Sequence, residues 1–382
     1  MSVPWRKLIS RVMLVGVSIF LTLSALEGAF RIYFAYAHID ISYYRPSFYY
    51  FAVTNKDRRR FVSHPFLPYA PRPFDTRTMY FPRPDIGQTV RLDYANNSLG
   101  FRTPERPFKK PPMTKRVITL GGSTTFDGPT NEQTWSALLE KKLNQHYADK
   151  EYKIEVVNLG VDMASSPYSL IDLAFLGVEY EPDLVISYDG VNDSWPIGNN
   201  GISPDYRTLM TKYDERQQTF QSIIPQWAFR SYLLSWASVK LDRIAGRRPD
   251  LMGQVFPEEK LLRLYPSTNK IEGVEYFERN LRLMRAISGE YNAKFLAATA
   301  HWVHPEDKIV AINNELRRFF AAERIDFLDL DRELPHDDWA IHVDSVHWSL
   351  EGEEMMAEHW EAKIIATDAL DLGVAQRSKL AR

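Results

Sequence analysis

The sequence predicts an α/β protein: a three-layer α/β/α domain on a five-stranded parallel sheet, preceded by an apolar N-terminal helix. Three observations carry this reading. From residue 116 onward, short β-branched runs alternate with stretches of helical period, the pattern of a parallel sheet covered on both faces. The alternation breaks once, at about residues 195–270, and then resumes. Near the N-terminus, Val12 to Leu26 read "VMLVGVSIFLTLSAL", an almost uninterrupted apolar run. With 45% hydrophobic and 25% charged residues, a chain of 382 residues can bury a sizeable core.

The N-terminal run is taken first. Leu8 to Leu26 as a helix measures about 28 Å, close to the ~30 Å hydrocarbon core of a bilayer, and Arg11 can snorkel to its surface. A cleaved signal peptide fits less well. A cut after Ala25 would place Leu23 at the third position before the cut, and one after Ala29 would place Glu27 there, where small residues are needed. The reading is therefore an uncleaved anchor over 1–35. Arg6, Lys7 and Arg11 predict a cytoplasmic N-terminus, so in a bacterium the rest of the chain would lie beyond the inner membrane, in the periplasm or outside the cell.

Residues 36–114 form a second region, rich in Tyr, Phe, Pro and Arg ("YYRPSFYYF", "HPFLPYAPRPF"), read as irregular and partly stranded. The third, 115–370, holds the alternating units. Its predicted strands are "RVITL", "KIEVVNL", "DLVISYDG", "KFLAATA" and "IDFLDL". Its helices are "QTWSALLEKKLNQHYA", "SLIDLAFLGVEY", "EYFERNLRLMRAISGEY", "EDKIVAINNELRRFFAAE" and one starting near Ser349. The interruption carries Trp195, Tyr206, Trp227, Phe229, Tyr232 and Trp236 beside "RIAGRRPD". Most of these aromatics are expected to form a small core of their own, with Trp195 reaching a substrate cleft.

Charge and composition exclude several functions. Lys plus Arg number 47 against 49 Asp plus Glu, a net charge of −2, so there is no basic field for nucleic acid. With no cysteine, thiol nucleophiles, disulfides and thiolate metal sites are absent. No P-loop or G-x-G-x-x-G occurs, and the G-x-S-x-G elbow fails because Thr125 stands at its second glycine.

In an open parallel sheet, ligands bind beyond the carboxyl ends of the strands. Four such ends carry reactive or polar residues: Gly121, Gly122 and Ser123; Asn158, Gly160 and Asp162; Asp189 to Asp193; and "HVDSVHWSLEG", where Asp344 and His347 stand three apart. That spacing lets a carboxylate hold one imidazole nitrogen while the other takes a proton from a serine hydroxyl. His301 and His304, with His336 and His342, raise a metal reading, but their loop spacing is not that of a helical ligand pair. No metal or other cofactor is expected, and His301 is assigned to the cleft with Trp195.

These blocks resemble, in order and spacing, those of the SGNH (GDSL-like) hydrolases over about residues 115–365. "GGST" resembles the nucleophile block, "GVND" the G-x-N-D block and "DSVHWSLEG" the D-x-x-H block; "NSLGFR" is similar to a lead-in of membrane-anchored bacterial members. The resemblance implies the flavodoxin-like SGNH hydrolase fold, with Ser123 as nucleophile, His347 as base and Asp344 as its orienter. It further implies an oxyanion hole from the Ser123 N–H and the Asn192 side chain. The family's oxyanion glycine falls on Met163, with Gly160 two residues early, so both are candidates for the third donor. The expected activity is ester hydrolysis on an acylated carbohydrate or lipid, foremost O-acetyl groups of an envelope or exported polysaccharide. Acyl transfer to a glycan and non-catalytic glycan binding are the alternatives.

Overall fold

The computed structural model describes residues 5–37, 61–62, 64–67, 69–83, 88–197, 204, 206, 228, 230–244, 271 and 273–373. Trp227, Phe229, most of "RIAGRRPD" and residues 38–60 lie outside them. The chain divides into two compact units, residues 1–56 with 211–255, and residues 57–210 with 256–382.

The first unit contains helix α1, Trp5–Tyr36. Over Leu8–Tyr36 it is long and apolar enough to cross a membrane, and none of that stretch's most apolar window is buried within the protein. The chain then contributes to the second unit before returning to the first at residue 211.

In the second unit, β1 (Phe61–Val62) pairs antiparallel with β2 (Ala70–Pro71), and β3 (Thr76–Arg83) with β4 (Gln88–Ala95). The parallel sheet begins with β5 (Thr114–Gly121), which runs into the single turn α2 (Ser123–Phe126). Then come α3 (Trp135–His146), β6 (Lys153–Asn158), α4 (Ser166–Phe175) and β7 (Leu184–Tyr188). Helix α5 (Tyr232–Ile244) belongs to the first unit. After it, α6 (Val274–Glu290), β8 (Lys294–Ala298), α7 (Asp307–Glu323), β9 (Phe327–Leu328), α8 (Leu330–Glu333) and α9 (Leu350–Ala366) complete the second unit.

The sheet order is β6-β5-β7-β8-β9, all parallel, with Val117 level with Val156 on one side and Leu184 on the other. This is the expected five-stranded sheet. Because β5 and β7 are neighbours whose following connections leave in opposite directions, a crevice opens above their carboxyl ends. Strand residues are buried on both sides, as a sheet between two helical layers requires. One layer packs Trp135, Leu139 and Leu143 of α3 and Met356, Trp360 and Ile364 of α9 against Val117, Val156 and Ile186. Both helices start as the sequence suggests: Thr134 and Ser349 accept the backbone N–H of Ala137 and Gly352 through their hydroxyls. The other layer is α4, α6 and α7, whose Phe277, Leu281, Ile312 and Leu316 are buried.

Of the aromatics of the interruption, Trp195, Tyr206, Tyr232 and Trp236 are among the described residues. Tyr232 and Trp236 of α5 pack on α1, with ring centroids 5.6 Å from Phe34 and 5.1 Å from Phe30. Glu27 of α1 accepts hydrogen bonds from the Ser231 hydroxyl and from the N–H groups of Tyr232 and Leu233, capping α5 at its open end. Tyr206 lies in the second unit, buried, with its hydroxyl donating to Asp193.

Candidate active site

Three strand tips named from the sequence, those after β5, β6 and β7, lie side by side at one sheet edge, and the fourth block lies not on a strand tip but on the loop between α8 and α9, which reaches the same edge. Ser123 opens α2 directly after β5, so its backbone N–H has no partner within that turn. Its Oγ lies 2.8 Å from His347 Nε2, although 224 residues separate them. His347 Nδ1 lies 2.6 Å from Asp344 Oδ2, while Asp344 Oδ1 accepts the N–H groups of Val346 and His347. The loop carrying both residues is pinned by the Val343 N–H to the His347 carbonyl, at 2.8 Å, and the Val303 N–H to the Ser345 carbonyl.

Burial disfavours the His347 cation, but the hydrogen bond from Asp344 and the charges of Asp127, Asp344 and Asp162 outweigh it and raise the imidazole to about 9. Burial likewise opposes ionisation of Asp344. The hydrogen bond and charge of His347, with the two backbone N–H groups, win there and lower the carboxyl to about 2. The pair therefore rests as carboxylate and imidazolium at neutral pH.

Asn192 donates its side-chain amide to the Ala164 carbonyl at 2.7 Å, which fixes it beside Gly122. A Cβ at Gly122 would lie 2.4 Å from that amide nitrogen, so only glycine fits without moving Asn192. The turn after β7 is held from beneath by Asp193, which accepts from the backbone and hydroxyl of Ser166 and from Tyr206. Burial pushes the Asp193 carboxyl up, and the donors of Ser166 and Tyr206 oppose the shift.

The two candidates for the third oxyanion donor separate. Gly160 is corrected: its N–H is donated to Asn158 Oδ1 at 2.8 Å, and its missing side chain makes room for the backbone at Thr125 and Phe126. Met163 has φ of 64°, the left-handed conformation that glycine adopts at least cost. Among the described residues its N–H has no hydrogen-bond acceptor. Methionine thus holds the backbone that a glycine would hold, at a steric cost of about 1–2 kcal/mol. Met163→Gly is expected to raise stability by about 1 kcal/mol in a urea titration, the strain relief being offset in part by a freer unfolded chain, while turnover stays within a factor of about two.

His301 is also corrected. It is fully buried, stacked 4.8 Å from the His336 ring, 5.2 Å from His342 and 5.5 Å from Trp348, and cannot line a cleft. Burial and the neighbouring histidines lower it to about 3, which keeps the ring neutral. His336 bonds the carbonyls of Trp302 and Asp331, and exposed His304 pairs with Asp337. Trp195 is 46% exposed on the turn that follows Asn192.

Three further residues shape the site. Buried Arg102, the last residue of "NSLGFR", donates to the carbonyls of Phe126 and Gly128 and so braces the chain just past α2. Tyr69 donates to the Asp162 carbonyl at 3.0 Å, steadying the loop that presents Met163. Asp127 places Oδ2 3.4 Å from His347 Nε2. Its position four residues after Ser123, one helical turn, is the sequence signal that could have located it.

No protein-family profile matches the chain, and no curated protein matches it. Among solved structures it is similar to an acetyl xylan esterase at 16% identity and TM-score 0.40, over 65% of this chain and 100% of that one. It is similar to the lipase/acylhydrolase of Enterococcus faecalis at 15% identity and TM-score 0.39, covering 65% and 95%. An acetylxylan esterase from Geobacillus stearothermophilus, solved as a catalytic mutant, gives 12% identity and TM-score 0.39, covering 65% and 94%. By its own sheet order, and by the convergence of its sequence blocks on one sheet edge, the chain has an SGNH-like hydrolase fold.

Proposed function

We propose that the protein is a serine esterase that removes O-acyl groups, foremost acetyl, from an envelope or exported polysaccharide. The observation that carries the chemistry is the hydrogen-bonded relay from Ser123 through His347 to Asp344, at 2.8 and 2.6 Å. With neutral imidazole, the Ser123 hydroxyl proton passes to Nε2 as Oγ bonds the ester carbonyl carbon, and the carbonyl π electrons move to oxygen. The N–H groups of Ser123 and Met163 and the free hydrogen of the Asn192 amide receive that oxyanion. Collapse breaks the bond to the sugar oxygen, which takes the proton from Nε2. Water then repeats the sequence on the acyl-serine, releasing the acid and restoring the hydroxyl.

The substrate class follows from location. An uncleaved α1 would hold the enzyme at a bacterial inner membrane facing the periplasm, where acylated glycans are made and exported. Full-length protein in detergent should hydrolyse a small acetyl ester, release acetate from an O-acetylated polysaccharide and label with a fluorophosphonate. Ser123→Ala should abolish labelling and lower kcat about 10³-fold or more. An unlabelled wild type, or a labelled Ser123→Ala, overturns the assignment of Ser123; labelling without acetate release overturns the polysaccharide.

A further inference from the structure

His347 faces two carboxylates, one at each ring nitrogen. Asp344 meets Nδ1, and Asp127 Oδ2 lies 3.4 Å from Nε2, the nitrogen that also meets Ser123 Oγ at 2.8 Å. Asp127 is held there by its backbone, whose N–H donates to the Ser123 carbonyl at 2.7 Å, and its side chain is 7% exposed. A neutral imidazole with its proton on Nδ1 turns a lone pair from Nε2 toward this carboxylate, which repels it. An imidazolium turns an N–H toward the same oxygen and is attracted.

We propose that Asp127 is a positioning residue that stabilises the protonated form of His347 from the Nε2 side, and thereby sets the pH above which Ser123 can be activated. This rests on the esterase reading only for its consequence in turnover. The charged groups around the pair are Asp344 and Asp162 on His347, and Arg102 and Glu353 on Asp127. Of these, Asp344 hydrogen-bonds the ring at Nδ1 and Arg102 braces the carbonyls on either side of Asp127, while the Asp127 carboxylate faces Nε2, the nitrogen that meets the serine. Two opposing effects follow. Asp127 delays activation of the serine to higher pH, and once the serine proton has moved, it stabilises the imidazolium formed with the tetrahedral intermediate. An enzyme so arranged is held back at neutral pH and runs in alkaline medium.

The test uses the full chain in lipid nanodiscs with ¹⁵N-labelled histidine, following the His347 ring nitrogens by NMR as pH is raised. Asp127→Asn keeps the shape and removes the charge; the His347 midpoint should fall by about 1–3 pH units, the range set by an adjacent opposite charge. Asp127→Glu should hold the midpoint above that of the Asn variant. In parallel, the pH at which fluorophosphonate labelling reaches half its limiting rate should fall by the same amount in Asp127→Asn. A midpoint for Asp127→Asn equal to that of the wild type overturns the proposal, as does a Glu variant that titrates like Asn. The ring titration reads Asp127 even if no labelling occurs at any pH, so loss of the esterase reading and loss of this one are separate results.

Discussion

Asp344→Asn is expected to lower kcat for an acetyl ester about 10⁴-fold. The carboxylate accepts the Nδ1 proton of His347 at 2.6 Å and so leaves Nε2 as an acceptor for the serine. An amide can turn its NH₂ toward Nδ1 instead, which places the ring proton on Nε2, where it blocks proton transfer. The amide oxygen can still accept the N–H groups of Val346 and His347, so the loop is retained and the defect is chemical. Stability should follow pH in a defined way. The folded His347 is raised from 6.5 to about 9, so its contribution is complete below 6.5 and lost as pH rises through about 9. The folded Asp344 is lowered from 3.8 to about 2, so its contribution is complete above 3.8 and lost as pH falls through about 2. Wild type should therefore exceed Asp344→Asn in denaturation midpoint most clearly between pH 3.8 and 6.5, with the gap narrowing from pH 6.5 to about 9. A variant with wild-type kcat at its pH optimum would remove Asp344 from the mechanism.

Arg116→Met should destabilise the fold by about 3–5 kcal/mol, the usual result of breaking a buried ion pair from one side. The Arg116 side chain is fully buried at the start of β5. Its guanidinium donates to Glu155 Oε2 at 2.7 Å and to the carbonyls of Phe108 and Tyr180 at 2.9 and 2.7 Å. Methionine fills much of the volume but leaves two carbonyls without this donor. Glu155, 6% exposed in its side chain, would retain Arg106 and a longer contact from Lys153. Adding Glu155→Gln should recover part of the loss by removing the charge. Urea titrations of the wild type and the two variants measure this; a loss below about 1 kcal/mol for the single change would mean that Arg106 suffices for Glu155. Because Arg116 stands at the amino end of its strand, the folded fraction should keep its turnover.

The sheet was legible because β5, β6 and β7 end at a change of texture, from β-branched residues to glycine and hydroxyl or amide groups, and α3 and α9 start at the capping residues Thr134 and Ser349. The relay was legible in part for a related reason: Ser123 stands just past β5, at the edge where a parallel sheet presents its tips, while Asp344 and His347 stand on the loop between α8 and α9 and were legible from their own three-residue spacing. What could not be read depends on packing between distant segments. His301 follows a strand as Ser123 does, but three aromatic rings close over it. Gly160 is a candidate for the oxyanion hole only because it is a glycine two residues from where the family resemblance places one, whereas a local bond to Asn158 claims its N–H. Met163 has a left-handed backbone that no apolar side chain announces. The partnership of α5 with α1 joins segments some two hundred residues apart, and the aromatics alone gave no address.

The contact at Glu27 gives the apolar N-terminal helix a second role. Removing the first 35 residues would also take away Glu27, Phe30 and Phe34, and with them these ring partners of Tyr232 and Trp236 and the acceptor for the opening turn of their helix. The leading segment is therefore a folding partner for α5, and a preparation trimmed at residue 36 would be a different protein in the stretch around 230–244.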